Sequence, residues 1–254
     1  MFDTYLINLD RSTDRLEVMA KDLDREKIAY ERISAVDGAS LSPQQLESVD
    51  DTQTVSKLGR KLNNGEIGCF LSHIQVAERV LAGTTDVALV LEDDASIPEN
   101  TRELIEQIAY CLHEKVKNKW TVVNLGNPAQ KLYRDIGLLQ ENDTTYRLRH
   151  AFYFPILTTA LLWSKSGAEQ FLRTIEKISL PVDVHLQNFC CRSGQGLAVN
   201  PAPFQSRGVR SVISSQNPQQ GKNSKSSTIR SLPRKWENYT SALKHLTRHN
   251  LRRE

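Results

Sequence analysis

Residues 87–97 read VALVLEDDASI, an apolar run that stops on three successive acids, Glu92, Asp93 and Asp94. A run of this length bounded by polar residues reads as a buried strand, of the kind found in a parallel sheet covered on both faces. The acids then stand at the carboxyl end of the strand, which is where ligands bind in open α/β sheets. Adjacent carboxylates repel one another, so the cluster calls for a positive partner, either a metal ion or Lys/Arg. A solvated acidic loop is the alternative, and its position after an apolar strand argues against it.

The chain has 254 residues, with 39% apolar and 25% charged side chains, ordinary values for a globular protein of one large domain or one and a half. No apolar stretch approaches the roughly 18 residues that span a bilayer. The start, MFDTYLINLDRSTDRLE, has no basic leader and places charges where a signal peptide is apolar, so a cytoplasmic protein is expected. Cys69, Cys111, Cys190 and Cys191 lack C-x-x-C spacing and read as small core residues. Charge is uneven: nine Lys/Arg face two acids from Lys222 to Glu254, a local +7 that leaves −4 for the rest of a chain totalling +3. A basic tail of this kind suits an anionic surface, either nucleic acid or the cytoplasmic leaflet of a membrane.

Working outward, TYLINL is a first strand ending near Asn8, followed by a helix over about 13–26 that Ser12 or Thr13 would cap. AYERISAV is a second strand. The polar stretch 50–65 is expected to be a mobile loop whose Lys57, Arg60 and Lys61 fold over an anionic ligand, or simply a solvated basic loop. GEIGCFLSHIQVAERVLAG is a helix with Ile67, Leu71, Ile74 and Leu81 on one stripe. A helix over Thr101–Val116, a strand WTVVNLG, a strand pair or bent strand over 152–164 and a helix SGAEQFLRTIEKI follow. PVDVHLQNF begins another helix with Asp183 and His185, and GLAVNPAPFQ is a last strand. Residues 206–231 are Ser/Gln/Asn-rich and expected to be loose. There is no internal repeat, no Walker-A loop and no G-x-G-x-x-G.

Four blocks, YLINLDRSTDRLE, GEIGCFLSHI, ALVLEDDA and TTALLWSKSGAEQFL, together resemble glycosyltransferase family 25 across roughly residues 3–215. The resemblance implies a GT-A-like α/β fold with a mostly parallel central sheet over 1–215; residues 216–254 lie beyond it and read from their own composition as a loose segment with a basic C-terminal helix. It implies sugar transfer, commonly galactose from UDP-galactose, onto a growing lipopolysaccharide or lipooligosaccharide glycan. EDD resembles the family's D-x-D metal motif, with Asp94 matching its last acid, so Asp94 and Glu92 become the expected ligands of Mn²⁺ or Mg²⁺. Asn8, Asp10 and Arg11 lie where the family binds the nucleotide. Asp183 matches a position where the family carries an acid.

The chemistry is consistent with those residues. Expelling a diphosphate develops negative charge that a hard divalent cation on carboxylates stabilises. Residues i and i+2 of a strand share a face, so Glu92 and Asp94 can point together while Asp93 points away. Asp94 is the first choice for the metal, and Glu92 or Asp93 for the ribose or a metal-bound water. Displacement with inversion needs a base, for which Asp183 is preferred and His185, titrating near neutrality, is the neighbour. Glu66, His73 and Lys61 line the site, Arg15 is either a phosphate ligand or a surface charge, and Gln205 and Ser211 resemble a late family element. A nucleotidyltransferase or other metal-dependent nucleotide-sugar enzyme, and a non-catalytic sugar- or nucleotide-binding protein, remain the competing readings. Expected partners are a UDP-sugar, a lipid-linked oligosaccharide and the anionic face of the inner membrane, not nucleic acid. In the tail, Trp236, Tyr239, Leu243 and Leu246 form one apolar stripe among Arg234, Lys235, Lys244, Arg248 and Arg252. Such a helix either lies in a membrane interface or packs its stripe on the body.

Overall fold

A computed structural model describes residues 1–117, 119–208 and 225–251, the side chains of 225–229 excepted. The chain runs β1 (Asp3–Asn8), α1 (Thr13–Arg25), β2 (Glu31–Ser34), α2 (Pro43–Glu47), α3 (Asp51–Leu58), α4 (Asn64–Ala82), β3 (Val87–Glu92) and α5 (Thr101–Lys115). It continues through β4 (Val122–Asn124), β5 (Tyr133–Glu141), β6 (Thr144–Ala151), β7 (Ala160–Ser164), α6 (Lys165–Arg173), α7 (Val182–Ser193), β8 (Leu197–Asn200) and α8 (Lys225–Leu251). The strands form one sheet in the order β2-β1-β3-β7-β4-β8-β6-β5. β6 and β7 oppose the direction shared by the others, so the sheet is mixed but mainly of one sense. This is the α/β architecture expected, and it is compatible with a GT-A-like fold.

The pleat divides each central strand between two cores. Tyr5, Ile7, Ala88, Val90, Leu161 and Trp163 pack beneath α4, α6 and α7. Leu6, Leu89, Leu91, Ala160 and Leu162 pack beneath α1 and α5. Burial on both faces is why β3 and β7 read as unbroken apolar runs. The parallel strands β1, β2 and β3 finish on one edge, at Asn8, Ser34 and Glu92.

Three expectations change. The stretch 50–65 is not a loose loop: Asp50 accepts the Gln53 amide at 2.8 Å to cap α3, and Gly59, at φ +77°, ends it. A polar helix of this kind has no apolar stripe, only buried Thr54. The strands β5 and β6 went unread, although YRDIGLLQE alternates and the turn at Asn142 (φ +48°) is a hairpin signal. The segment expected to be loose, 206–231, ends within ordered structure, since α8 starts at Lys225, ahead of Pro233. The remainder of that segment, with Ser211, lies outside the described residues.

The start of α4 is set by a close backbone crossing. A Cβ on Gly68 would meet the Val36 carbonyl oxygen at 2.4 Å, and one on Gly38 would meet the Asn64 oxygen at 2.5 Å. Ser72 fixes the same crossing, accepting the Val36 amide at 2.9 Å. Alanine is the better helix former by about 1 kcal/mol, yet here overpacking against backbone dominates. Gly68→Ala should therefore lower stability in urea by about 1–3 kcal/mol. A gain in the unfolding midpoint would show that the crossing can yield.

Candidate active site

At the end of β3 the pleat separates the acids. Glu92 continues the Ala88–Val90 face toward α4, where its Oε1 meets His73 Nε2 at 3.1 Å and accepts the Thr158 hydroxyl at 2.6 Å. Burial pushes this carboxyl up, but His73 and Thr158 outweigh it and hold it below its ordinary value. Asp93 turns toward α1. Its oxygens accept Asn8 Nδ2 at 2.8 Å and Arg15 at 3.1 Å. Arg15 is thus an internal ion-pair partner rather than a surface charge, and Asp93 is committed to holding α1 against the strand end.

Asp94 lies in the turn beyond the strand. One oxygen accepts the Ser206 hydroxyl at 2.8 Å, while Oδ1 is buried without any hydrogen-bond partner. Burial raises its pKa, and the charges of Glu92 and Asp93 add to the rise. An orphaned anionic oxygen among like charges is the environment a hard dication relieves, so Asp94 with Glu92 fits Mg²⁺ or Mn²⁺. Cys69, His73 and Glu92 also bring ligand atoms within 4.8 Å of one another. Burial, followed by the charges of Glu92 and Asp183, lifts the Cys69 thiol well above its ordinary value. The thiolate that a softer metal needs is therefore disfavoured.

These acids border a cavity of about 130 Å³ at the strand ends, whose walls include Asn8, Arg11, Asp37, Gly38, Cys69 and His73. That volume is below the several hundred Å³ typical of sites enclosing a whole ligand, so a nucleotide-sugar would extend through its mouth. Asn8 is 1% exposed and spends its amide on the Ser12 carbonyl (3.0 Å), Asp93 (2.8 Å) and Arg32 (3.0 Å). It positions the site rather than presenting a free amide. Ser12 begins α1 with its carbonyl so held and makes no side-chain cap. Asp10 is exposed and bound by Arg32 and then Ser34 (2.9 Å), which lower its pKa in that order. Arg11 pairs with Asp37 at the cavity wall while remaining 44% exposed.

The basic residues expected to close over a ligand are engaged elsewhere. Arg60 forks onto Glu66 at 2.7 and 2.6 Å, and Glu66 closes a capping box with Asn63 at the start of α4. Lys61 pairs with Asp51, and Lys57 rests on Gln53 and Ser179. Glu66 and Lys61 therefore stand in fixed pairs, outside the cavity lining.

Asp183 lies in the first turn of α7, its Oδ1 accepting the Val184 amide at 2.7 Å. Burial raises its pKa, against hydrogen bonds from Val184 and Leu157 and with help from the charges of Glu92 and Glu66. Leu157 holds φ +83°, a strained conformation for a side-chain-bearing residue. Asn124 clamps that bend, donating to the Leu157 carbonyl at 2.8 Å. His185 departs from expectation. It lies edge-on to Phe70 (5.3 Å) and Phe171 (5.7 Å), meets the Thr174 hydroxyl at 2.8 Å, and is pushed down to about 4 by burial and then by Lys57 and Arg192. It is a packed, neutral side chain. Thr158, Ser206 and Asn124 went unread; Thr158 sits inside the TTALLWS block, whereas Ser206 carries no sequence signal.

The chain matches the family described as "Glycosyltransferase family 25 (LPS biosynthesis protein)" over residues 1–186. It is 26% identical to procollagen galactosyltransferase 1 of Danio rerio, over 72% of this chain and 30% of that one. It is 27% identical to procollagen galactosyltransferase 2 of Homo sapiens, over 57% and 24% respectively. Against the inactive glycosyltransferase 25 family member 3 of Homo sapiens the identity is 32%, over 49% and 21%. The chain thus spans less than a third of the length of these relatives.

Two half-buried histidines set a pH dependence of stability. His150, stacked on Phe152 with its Nδ1 unpartnered, is pushed down to about 4 by burial and then by His249 and Arg134, as His185 is by its own surroundings. Unfolded histidines titrate near 6.5. Between those values the unfolded chain holds more protons, so stability present above pH 6.5 is lost as pH falls toward 4. The loss should reach at most about 3 kcal/mol per histidine at 1.36 kcal/mol per unit. Urea titrations from pH 7.5 to 4 should show this slope, reduced in His185→Asn; an unchanged slope would remove His185 from the account.

Proposed function

Because this chain belongs to glycosyltransferase family 25, we propose that it transfers galactose from UDP-galactose to a hydroxyl of a lipid-linked oligosaccharide of the lipopolysaccharide or lipooligosaccharide core. The observation that carries this reading is the strand-end acid cluster, in which Asp94 keeps a buried, unpartnered oxygen. Asp94 and Glu92 would hold Mn²⁺ or Mg²⁺, which when bound neutralises charge developing on the leaving diphosphate. Asp183 accepts the proton of the attacking hydroxyl as its oxygen bonds to the anomeric carbon. The bond from that carbon to the diphosphate breaks, UDP departs and a single displacement inverts the centre. A carboxyl raised by burial is a stronger proton acceptor than an exposed one. Arg11, at the cavity wall beside Asp37, would be the cation offered to a donor phosphate. Galactose as donor sugar is supported by the galactosyltransferases among the relatives. The lipopolysaccharide acceptor is supported by the family description.

UDP release across a panel of UDP-sugars with a lipooligosaccharide acceptor tests the reading. UDP-galactose should be turned over fastest, and EDTA should stop turnover. Asp94→Asn should lower the rate by about 10²-fold or more with the fold intact. Asp183→Asn should lower kcat far more than donor affinity. UDP binding with no turnover of any donor would group the chain with the inactive relatives.

The reading includes docking on an anionic membrane, on the cytoplasmic face where such an acceptor is built. No helix among the described residues is long and apolar enough to cross a membrane. Helix α8 turns Asn238 and Ala242 inward and leaves Trp236 (68%), Tyr239 (40%) and Leu243 (44%) exposed. Leu246, the fourth residue of the expected stripe, is half-buried, and Trp236 and Tyr239 border a groove with Leu132 and Tyr153 of the body. Trp236 and Tyr239 stack at 6.3 Å, next to Lys235 and Lys244. Aromatic side chains with flanking lysines suit the headgroup boundary. Trp236→Ser with Leu243→Ser should reduce binding to phosphatidylglycerol vesicles about tenfold and leave stability within about 0.5 kcal/mol. Salt-insensitive or undiminished binding would exclude this face.

A further inference from the structure

A second cavity, of about 780 Å³, lies among α3, α7 and α8 and shares no lining residue with the one at the strand ends. Five cations line it, Lys57, Lys177, Arg192, Arg230 and Arg234, against the carboxylates of Asp50, Glu176 and Glu237. The excess is two positive charges. Asp50 is occupied as the cap of α3, and Glu237 approaches only Arg192, at 3.8 Å. Among the described residues no carboxylate lies within ion-pair distance of Lys57, Arg230 or Arg234.

These cations rest on neutral groups instead. Lys57 Nζ donates to Gln53 and Ser179, and Arg230 to the Val55 carbonyl at 3.1 Å. Arg234 reaches the Gln187 side-chain oxygen at 3.5 Å, while its Nε is buried with no acceptor. A buried charged donor without a partner is among the costlier defects a fold can carry. Burial and then the charge of Arg192 lower the Lys57 pKa, against the charge of Asp50. A chain that gathers cations from three helices around empty space, one of them with an unused buried N–H, is arranged for an anion from outside.

The charge identifies the anion. A carboxylate is satisfied by one guanidinium fork, whereas two excess charges and donors on three helices match a dianion with three terminal oxygens. A phosphate monoester carries about −1.5 to −2 at pH 7. Its place in the reaction follows from α7, which carries Asp183 in its first turn and presents His185, Asn188 and Arg192 to the cavity. The charge of Asp183 also reaches Arg234, against the burial that lowers the guanidinium's pKa. We propose that the cavity among α3, α7 and α8 binds a phosphate monoester borne by the acceptor glycan, holding the acceptor near Asp183. The acceptor assignment rests on the transferase reading; the phosphate site does not.

Calorimetric titration of the full chain with glucose, glucose 6-phosphate and inorganic phosphate, at fixed ionic strength and without donor, tests this directly. Glucose 6-phosphate should bind at least tenfold more tightly than either glucose or inorganic phosphate. Arg192→Gln, at an exposed position, and Lys57→Gln should each weaken it about tenfold and leave UDP binding unchanged. Equal binding of glucose and its phosphate, or no effect of either variant, would overturn the site. Inorganic phosphate binding as tightly as the ester would overturn the acceptor assignment. Binding as expected in a protein that transfers no sugar would keep the phosphate site and reject the transferase reading.

Discussion

Three carboxylates in successive positions cannot share one environment, and most of this molecule's active edge follows from how they are kept apart. Glu92 is held by His73 of α4 and by Thr158, Asp93 by Arg15 of α1 and by Asn8, and Asp94 by Ser206. Each partner comes from a different segment. The repulsion thereby recruits two helices, the bend before β7 and the chain after β8 to one strand end. Like charges lower the stability of such a site unless each is met by a donor, and of the three acids Asp94 alone keeps a fully buried oxygen that is not.

Much of this was legible in the sequence because it depends on short periods. The unbroken apolar run of β3 announced its burial on both faces, and the pleat of a strand announced the opposite directions of Glu92 and Asp93. The helical period announced α4, but the face it buries is that of Ile67, Phe70, His73, Val76 and Val80, while Leu71, Ile74 and Leu81 of the expected stripe are only partly buried. What could not be read were partners fixed by tertiary approach. Nothing near Arg15 or Asn8 reveals that Asp93, some eighty residues away, completes them. Ser206 reaches Asp94 only because the chain after β8 returns to form a bridge with Ala95.

The errors over the helices share a cause. Helix α3 and the inner face of α8 are polar, and a reading built on apolar periodicity passes over elements held by caps and hydrogen bonds. Aspartate and glycine at the ends of α3 were the available signals. His185 illustrates the converse: a histidine beside a candidate base looks catalytic in sequence, but the aromatic pocket of Phe70 and Phe171 makes it a neutral packing group.

The seam between α8 and the body has a further consequence. Asn238 meets Asn188 at 2.7 Å, and His245 meets the Arg192 carbonyl at 2.9 Å, with Ala242 the small apolar contact between them. Polar groups of this kind recover their hydrogen bonds from water when parted, whereas apolar surface does not. The helix lies beyond residue 186, where the family match ends. A helix joined by so wettable a seam can part from the body without leaving a greasy scar, so undocking it would open the cavity it shares with α3 and α7 while the strand-end acids keep their partners.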